Sequence, residues 1–557
     1  MERDPAARHP SMRAIARALD RALARRRAAA LAGIGVLAIG VTAAIASRAA
    51  SPATCTSARE QAARAWSPAR RARLDAAYRA MPATGSVVTR GLDAYVAAWT
   101  TMHTESCEAT HVRGEQSAPL LDSRMQCLHE RLVAVEALAD GLAHGDAAVL
   151  ARGGEALASL RPVDDCAAAR VSGRAPITPR GAAARLELAR IHALRPLGRA
   201  SDVVARARPL VELGQALGDR ALVAEARLAI ADALAGDIQL DAAAEAFTAA
   251  ELAAESAGDD HLRARALLAH ASLAGAVAFD RDAAAQLLAR ARAVLTRLDD
   301  DEELVRRADV AEAALTGAGG DQAAGARMLQ AVIAKAPREG REAWHTAVAL
   351  RDLANALGEQ GRFADALPYA REAVAVAEAA LGPDHVDVSE TLSVLALTLH
   401  FADAAHDARA TELASRALAI KERARGADHV SLSSTLMVQA LIARDGSTTT
   451  GHAEARAATD RAIALRRRAY GSDNPLVLAL LSERGSLAAD AGEHAHARAA
   501  FAEALPGLVR AWGESSPAVV QARESLALIA EREGDYARCA AELIASPGVA
   551  RLRCLVR

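Results

Sequence analysis

The chain contains 557 residues, of which 52% are hydrophobic and only 3% aromatic, and its formal net charge at pH 7 is −2. This length exceeds one ordinary globular core, and the near-neutral charge excludes a global electrostatic field that would attract DNA or RNA. The gap between hydrophobic and aromatic content is filled by alanine, the strongest helix former. The composition therefore predicts an all-α fold and no nucleic-acid partner. The scarcity of lysine beside abundant arginine is typical of a GC-rich bacterial genome.

Residues 1–27 are basic, and residues 28–47 carry no charge. About 20 apolar residues are enough to cross the hydrocarbon core of a bilayer, and the arginines before this segment predict a cytoplasmic N-terminus. The pattern predicts a single transmembrane helix at 28–47 in the inner membrane, with all later residues extracytoplasmic. A cleaved signal peptide is the alternative, but the apolar run and the segment before it are both long for one.

Residues 48–175 are expected to form a small helical subdomain that contains four of the six cysteines. Outside the cytoplasm, an even number of cysteines favours disulfides. Cys107 and Cys127 could close a hairpin, and Cys55 and Cys166 could tie the ends of the subdomain. At the other end of the chain, Cys539 could pair with Cys554. The sequence does not decide between these pairings.

A candidate zinc site overlaps the cysteines of this subdomain. His103, Cys107 and His111 recur every four residues and therefore share one face of a helix, with Cys127 and His129 nearby. Thiolate and imidazole groups are preferred ligands of zinc. Two histidines near a cysteine on a helix usually have no such role, so we predict no metal and no cofactor and retain these three residues only as candidates.

A repeated pattern extends from about residue 182 to residue 545, after a linker rich in glycine and proline. The most regular motif in this pattern begins with a glycine, which occurs at positions 382, 426, 471 and 513. These positions are 44, 45 and 42 residues apart. Each period contains two apolar stripes at helical spacing. A fixed period of this size indicates a stacked repeat. We expect eight or nine helix pairs, followed by a short tail at 546–557.

The turns between repeats follow a common chemistry. Gly382 is expected to end a helix in the left-handed conformation. Three polar residues are expected to accept hydrogen bonds from the first amides of the next helix: Asp384, Asn474 and Ser516. Pro475 and Pro517 fit the first helical turn, where no amide donor is needed. His385 and His429 occupy the same position in two copies of the repeated motif, and both are expected to be capping or surface residues.

Small residues recur where two paired helices must approach closely, with phenylalanine as the large filler. The predicted packing positions are Ala231, Ala243, Phe247, Ala250, Ala354, Ala366, Ala373, Gly485, Ala497, Phe501, Ala504, Gly534 and Tyr536. This pattern resembles the tetratricopeptide repeat, in the longer form found in kinesin light chains. The resemblance implies a right-handed α-solenoid whose units bury their apolar faces only by stacking.

Two other segments resemble parts of bacterial protein kinases. Residues 4–15 resemble the last helix of the kinase domain, in which an Asp-Pro-x-x-Arg-x-x-Ser-Met phrase occurs (here Asp4 to Met12). Residues 104–128 resemble the segment that follows the membrane span in myxobacterial transmembrane serine/threonine kinases. The resemblance implies the C-terminal, non-catalytic part of such a kinase. For residues 104–128, a helical hairpin with buried ion pairs and a sensor site for a small molecule or peptide are both open.

The sequence contains none of the catalytic motifs of a kinase. It lacks the Gly-rich phosphate loop, the His-Arg-Asp catalytic loop and the Asp-Phe-Gly metal site. We therefore predict no enzymatic activity. The favoured function is a scaffold that binds a protein or peptide in the groove of the repeat array. The alternative is the sensor part of a serine/threonine kinase whose catalytic domain is missing or separately encoded.

Overall fold

The computed structural model of the protein describes most of the chain, and every regular element in it is a helix. The all-α class predicted from composition is therefore confirmed for these residues. The described residues are 16–17, 55–167, 178–197, 200–237, 239–277, 280–298, 301–339, 343–402, 407–445, 449–514 and 516–542.

From residue 55 to residue 167 the structure describes six helices before the repeat array, and short 3₁₀ turns follow the second and the sixth. They are α1 (Ser57–Ala65), α2 (Pro68–Ala77), α3 (Pro82–His111), α4 (Ala118–Ala143), α5 (Ala147–Ala151) and α6 (Gly153–Ser159).

Nine helix pairs follow within the described residues. The first four pairs are α7 (Pro179–Leu194) with α8 (Ala200–Leu217), α9 (Arg220–Gly236) with α10 (Leu240–Ala257), α11 (Asp260–Ser272) with α12 (Arg281–Leu295), and α13 (Glu302–Ala318) with α14 (Gln322–Lys335). The other five are α15 (Ala343–Glu359) with α16 (Phe363–Leu381), α17 (Val386–Ala402) with α18 (Asp407–Arg425), α19 (Leu432–Asp445) with α20 (Thr449–Tyr470), α21 (Pro475–Asp490) with α22 (His494–Trp512), and α23 (Pro517–Arg532) with α24 (Tyr536–Glu542).

The contacts divide the chain into two compact units that do not follow chain order. The first contains residues 1–64, 97–129 and 162–172, and the second contains residues 65–96, 130–161 and 173–557. The helices before the array thus contribute to both units. The boundaries expected at 48–175 and 182–545 stay predictions.

Both disulfides among the described residues belong to the first unit and differ from the pairs suggested by the sequence. Cys55 is bonded to Cys107, and Cys127 is bonded to Cys166. The register of α3 against α4 explains the difference. The Trp99 indole N–H donates to the Leu128 carbonyl at 2.7 Å. Since the two helices run in opposite directions, Cys127 lies level with a residue near 100, about seven residues or ~10 Å from Cys107. A disulfide needs Cα atoms closer than about 7 Å.

At the other end of the chain, Cys539 is also disulfide-bonded, and Cys554 lies outside the described residues.

In the array, the core is formed by alanines and leucines at the positions where paired helices approach. Of the thirteen predicted packing positions, eleven are buried. At Gly485 an added Cβ would lie 2.9 Å from the Phe501 ring, which explains the glycine at that crossing. The other two positions differ: Gly534 lies in an exposed turn at φ +77°, and Tyr536 begins α24 at the surface with 36% of its area exposed.

No helix in the described part of the chain is both long and apolar enough to cross a membrane. The longest one, α3, carries Arg90, Asp93 and Glu105. The predicted single-pass location in the inner membrane is contradicted by this finding. Residues 28–47, on which the span was placed, lie outside the described residues, as does the kinase-like phrase at residues 4–15.

The tight crossing of α21 and α22 gives a first prediction. Replacing the fully buried Phe501 by alanine should lower the free energy of unfolding by about 3–5 kcal/mol, because a large cavity opens between helices that cannot collapse. Leu528, which is 48% exposed, is the matched control, and its replacement by alanine should change stability by less than about 0.5 kcal/mol. Chemical denaturation followed by circular dichroism measures both, and equal effects would contradict the packing described here.

Candidate functional site

The first helices of successive pairs share one face of the array. Within the described residues they pack directly on one another, from α7 on α9 to α17 on α19 and again at α21 on α23, whereas the second helices pack mainly on first helices. A stack bends toward the side on which its members are closest. We therefore call the face formed by the first helices the inner face.

Charged side chains connect neighbouring first helices across the inner face. Arg195 at the end of α7 lies 3.5 Å from Asp232 of α9. Farther along the array, His345 of α15 lies 4.0 Å from Glu303 of α13, and Arg444 of α19 lies 2.8 Å from Glu483 of α21. These six side chains keep between 19% and 31% of their area exposed. The inner face is thus polar and open to solvent at several levels.

A shallow cleft lies at the start of the array, between α4, the end of α6, α7 and α9. Glu225 forms ion pairs with two arginines of the cleft: its carboxylate lies 2.8 Å from Arg161 and 3.8 Å from Arg185. Burial raises the pKa of Glu130 in the same cleft, and the nearby Glu225 carboxylate adds to the effect. The cleft is lined by Glu130, Arg131, Ala134, Ser159, Leu160, Arg161, Arg185, Leu188, Ala189, His192, Ala193 and Glu225.

His192 is an uncharged member of this cleft. Burial, together with the nearby arginines, lowers the pKa of its imidazole to about 3, although Glu225 opposes this shift. Its Nε2 atom has no hydrogen-bond partner among the described residues and lies 3.9 Å from the Glu225 carboxylate. The imidazole is therefore neutral at physiological pH.

Arg265 interacts electrostatically with three other arginines, Arg161, Arg195 and Arg307, and we call the four the arginine cluster. Three of them have a carboxylate within 4 Å, which belongs to Glu225, Asp232 and Glu303 respectively. Arg265 of α11 makes no hydrogen bond or ion pair with any residue that the structure describes. Burial lowers the pKa of its guanidinium; Asp232 opposes this shift, and the other three arginines add to it.

Residues 147–161, which contain α5 and α6, cross from the start of the array to its middle; we call them the strut. Arg152 donates hydrogen bonds to the carbonyls of Pro196 after α7 and Ala424 in α18, both at 3.2 Å. Gly154 packs so closely on α16 that an added Cβ would lie 1.9 Å from the Leu381 carbonyl oxygen. The strut therefore joins the first pair of helices to the fifth and sixth pairs.

The turn after α16 receives two contacts from the helices that precede the array. The Thr84 hydroxyl in α3 donates to Asp384 at 3.0 Å, and the Glu155 carboxylate of the strut lies 3.6 Å from His385. Although burial would raise the pKa of Glu155, its interaction with His385 makes the net shift a lowering. The turn is a docking point for the N-terminal helices as well as a connection.

These contacts correct two expectations from the sequence and bear out a third. Asp384 does not cap α17; its carboxylate accepts hydrogen bonds from Thr84 and Arg423. His385 is a capping residue, as expected, because its Nδ1 accepts the Asp387 amide at 3.1 Å, and its side chain is completely buried. Gly382 has φ +90° and ψ 152°, which is a glycine-only extended conformation rather than the left-handed helical one.

The expectations for the later turns are confirmed. The side chain of Asn474 accepts a hydrogen bond from the Leu476 amide, and that of Ser516 accepts one from the Val519 amide. A proline follows each of them in the first helical turn. Like His385, His429 accepts a backbone hydrogen bond, at 3.2 Å from the Ser431 amide.

The three candidate zinc ligands are His103, Cys107 and His111. Cys107 is disulfide-bonded, so it has no thiolate to offer. The imidazole of His103 is buried with its ring centre 5.0 Å from that of Trp99, and burial lowers its pKa. In the part of the chain that the structure describes, no group of three or more potential ligands could hold a metal ion.

Sequence reasoning missed the arginine cluster, the cleft and the strut. One signal was present in the first helices, where polar residues recur seven positions apart, as in Arg185 with His192 and Glu225 with Asp232. Two helical turns separate such residues, so they lie on one face. In helices made mostly of alanine and leucine, this spacing indicates a face that the packing leaves open.

The fold and the inner face together define a protein built from stacked helix pairs, a class that presents a continuous surface to other proteins. Within it, residues 346–387 match the family model of the tetratricopeptide repeat. This range contains most of α15, all of α16 and the turn that docks against Thr84 and the strut. No curated protein matches the chain, and no comparison supports the resemblance to a kinase.

The docked turn gives a second prediction. Gly382 and Gly513 share the same glycine-only conformation, but only Gly382 is crowded, since an added Cβ would lie 3.0 Å from the Thr84 hydroxyl and 3.1 Å from its Cα. Both alanine variants should lose about 1–3 kcal/mol of stability from backbone strain. Gly382→Ala should lose about 1 kcal/mol or more beyond Gly513→Ala, measured by chemical denaturation. Equal losses would show that α3 does not pack on this turn.

The neutral imidazole in the cleft gives a third prediction. The folded protein keeps His192 unprotonated down to pH about 3, whereas the unfolded chain protonates it near its ordinary pKa of about 6.5. Its contribution to stability is therefore complete above pH 6.5 and is lost as the pH falls below that value. Between pH 7.5 and pH 5 the wild type should lose more stability than His192→Gln, and parallel pH profiles in chemical denaturation would contradict the burial described.

Proposed function

We propose that the protein is a non-catalytic scaffold that binds a segment of a protein partner along the inner face of its helix pairs. The observation that carries this proposal is the series of partly exposed ionic side chains that continues from α7 to α21. Ordinary stacking does not require such residues, because alanine and leucine already supply the core between helices. Polar groups on the shared face can instead recognise the backbone and side chains of a bound segment.

The spacing of the first helices fits an extended ligand. Packed helices lie about 8–10 Å apart, and an extended chain advances about 3.3 Å per residue. A side chain of the ligand can therefore reach a new first helix at every third residue. A partner segment of roughly ten residues would meet three or four helix pairs.

The fourth prediction tests this surface with matched variants. One variant carries three changes on the inner face, Asp232→Ala, His345→Ala and Glu483→Ala. The control carries three changes on exposed second-helix residues that make no hydrogen bond or ion pair with the described residues, Asp241→Ala, Glu245→Ala and Arg327→Ala. Proteins from the source cells that bind the wild type should bind the control equally, and the inner-face variant should lose at least tenfold in affinity in titrations of the purified partner.

Circular dichroism and thermal unfolding of both variants establish that they are folded. A partner that binds the folded inner-face variant as tightly as the wild type would overturn the proposal.

We also propose that the chain has no enzymatic activity of its own. The catalytic motifs of protein kinases are absent from the sequence, and the Ser159 hydroxyl that lines the cleft at the start of the array donates to the Ala156 carbonyl at 2.8 Å. The purified chain should hydrolyse no ATP and transfer no phosphate to a general protein substrate above the rate of a heat-denatured sample. Activity that resists further purification would contradict this.

A second candidate function is the regulatory part of a serine/threonine kinase signalling system. Only the sequence favours it, through the phrase from Asp4 to Met12 and the segment 104–128. Kinase catalytic motifs encoded immediately upstream of the gene would support it. An unrelated gene or a non-coding region at that position would remove the support.

A further inference from the structure

We propose that the hairpin of α3 and α4 binds a small molecule through its carboxylate, at the side chains of His103, Ser106 and Arg124. All three residues belong to the first unit and none belongs to the array, so the site adds a ligand-binding function to the scaffold proposed above. Two of them fall within residues 104–128, for which the sequence leaves a sensor site open.

The register of the hairpin brings the three side chains to one level. Trp99 of α3 donates to the Leu128 carbonyl of α4 at 2.7 Å, and the two helices run in opposite directions. Four residues farther along α3 and four residues back along α4, His103 lies level with Arg124, each on the same helical face as the residue that sets the register. Ser106 follows His103 by three residues and therefore shares its face.

Each of these side chains buries a polar atom that has no hydrogen-bond partner among the described residues. The atoms are Nδ1 of His103, Oγ of Ser106 and Nε of Arg124. The first two side chains are buried, with 7% and 1% of their area exposed, and burial lowers the pKa of the imidazole, which is therefore neutral at pH 7. Buried polar groups are nearly always hydrogen-bonded, so three exceptions at one level of one hairpin indicate a shared ligand.

The other hydroxyl groups of the same stretch of α3 are satisfied within the helix. Thr101, Thr104 and Thr110 each donate to the carbonyl four residues earlier, at 3.1, 2.9 and 3.4 Å. Such a local bond is the ordinary solution for a hydroxyl in a helix. Ser106 does not use it, which leaves its O–H group available to an acceptor from outside the fold.

The charge of Arg124 is also uncompensated. Its guanidinium donates to Gln116 Oε1 and, at 2.8 Å, to the Ala167 carbonyl, but it forms no ion pair with a described residue. A single cation beside two neutral hydrogen-bonding groups fits one monovalent carboxylate, which pairs strongly with guanidinium. Three carboxylates of the same hairpin contact the exposed Arg113 instead, at 3.0, 3.5 and 2.7 Å: Glu105, Glu108 and Glu115.

Gln116 marks the position that the carboxylate would take. Its Oε1 accepts the hydrogen bond from Arg124, and its Nε2 donates to the Ser106 carbonyl at 2.8 Å. The residue lies in the turn between the two helices with exposed residues on both sides, so its side chain can move into solvent while α3 and α4 stay in place. A carboxylate at this position supplies the charge that a neutral amide lacks.

The two disulfides hold the backbone around the site. Cys107, next to Ser106, is bonded to Cys55, and Cys166, next to Ala167, is bonded to Cys127. Covalent ties of this kind restrict the free protein, so less conformational freedom is lost when a ligand binds.

The fifth prediction concerns amide hydrogen exchange of the full chain, measured by mass spectrometry in sodium acetate and in sodium chloride at the same ionic strength. Because a ligand of the folded state lowers the population of open states, acetate should slow exchange in residues 97–129 in a saturable way. The effect should be about tenfold at ten times the dissociation constant. Exchange in α21 and α22 should be equal in the two salts.

Two variants connect this effect to the proposed contacts. Arg124→Gln should abolish the effect of acetate, and Ser106→Ala should reduce it at least threefold. Because Ser106→Ala removes a hydroxyl that has no partner, its exchange without acetate should be no faster than that of the wild type. The control Arg79→Gln changes an exposed arginine that makes no hydrogen bond or ion pair with the described residues, and it should keep the full effect.

A third variant supplies the carboxylate from within the chain. Gln116→Glu places a charged oxygen beside Arg124, so exchange in residues 97–129 should be slow without acetate, and added acetate should slow it no further. This variant tests the proposal even if Arg124→Gln does not fold.

Four outcomes would overturn the proposal. They are equal exchange in acetate and chloride, as a bound water alone would give; a full effect of acetate in folded Arg124→Gln or Ser106→Ala; exchange in Gln116→Glu as fast as in the wild type; and a larger effect of inorganic phosphate than of acetate at the same concentration. The scaffold function is independent of all four, because the inner-face triple variant tests it with a different ligand.

Discussion

The close approach of two helices within each pair is the constraint on which the rest of the structure depends. It requires small side chains at the crossing, such as Ala354, Ala366 and Ala373, which are all buried. At one crossing even alanine is too large, and Gly485 receives the Phe501 ring. Helices packed in this way leave apolar surface that only the next pair can cover, so the repeats must stack. Stacking in turn brings the first helices together and creates a shared inner face.

The inner face carries charge because it is not needed for cohesion. The core lies between helices and is supplied by alanine and leucine. Most of the ionic groups on this face are paired across neighbouring helices, as Arg195 is with Asp232 and Arg444 with Glu483. Against this background Arg265 is an exception, because it makes no hydrogen bond or ion pair with the described residues, and burial lowers the pKa of both its guanidinium and the His192 imidazole.

The local part of this architecture could be predicted from the sequence, and the long-range part could not. Alanine spacing and recurring glycines indicate helix pairs and turns, and the caps at Asn474 and Ser516 follow from residues a few positions away. The local sequence predicts a helix cap at Asp384 as well, but its carboxylate instead accepts a hydrogen bond from Thr84, 300 residues earlier in the chain. Likewise, the disulfide pairing depends on the register of α3 against α4, and the electrostatic interactions of Arg265 involve arginines of other helix pairs and of the strut. Neither leaves a pattern within a single repeat.

The strut changes the order in which the helix pairs of such an array are expected to unfold. A linear stack has neighbours only in sequence, so its end repeats fray before its middle. Here Arg152 holds the carbonyls of Pro196 and Ala424 together, which makes the first six pairs a closed loop rather than an open row. Amide hydrogens in the first pair should therefore exchange with solvent as slowly as those of the sixth, and the last three pairs, outside the loop, should open independently.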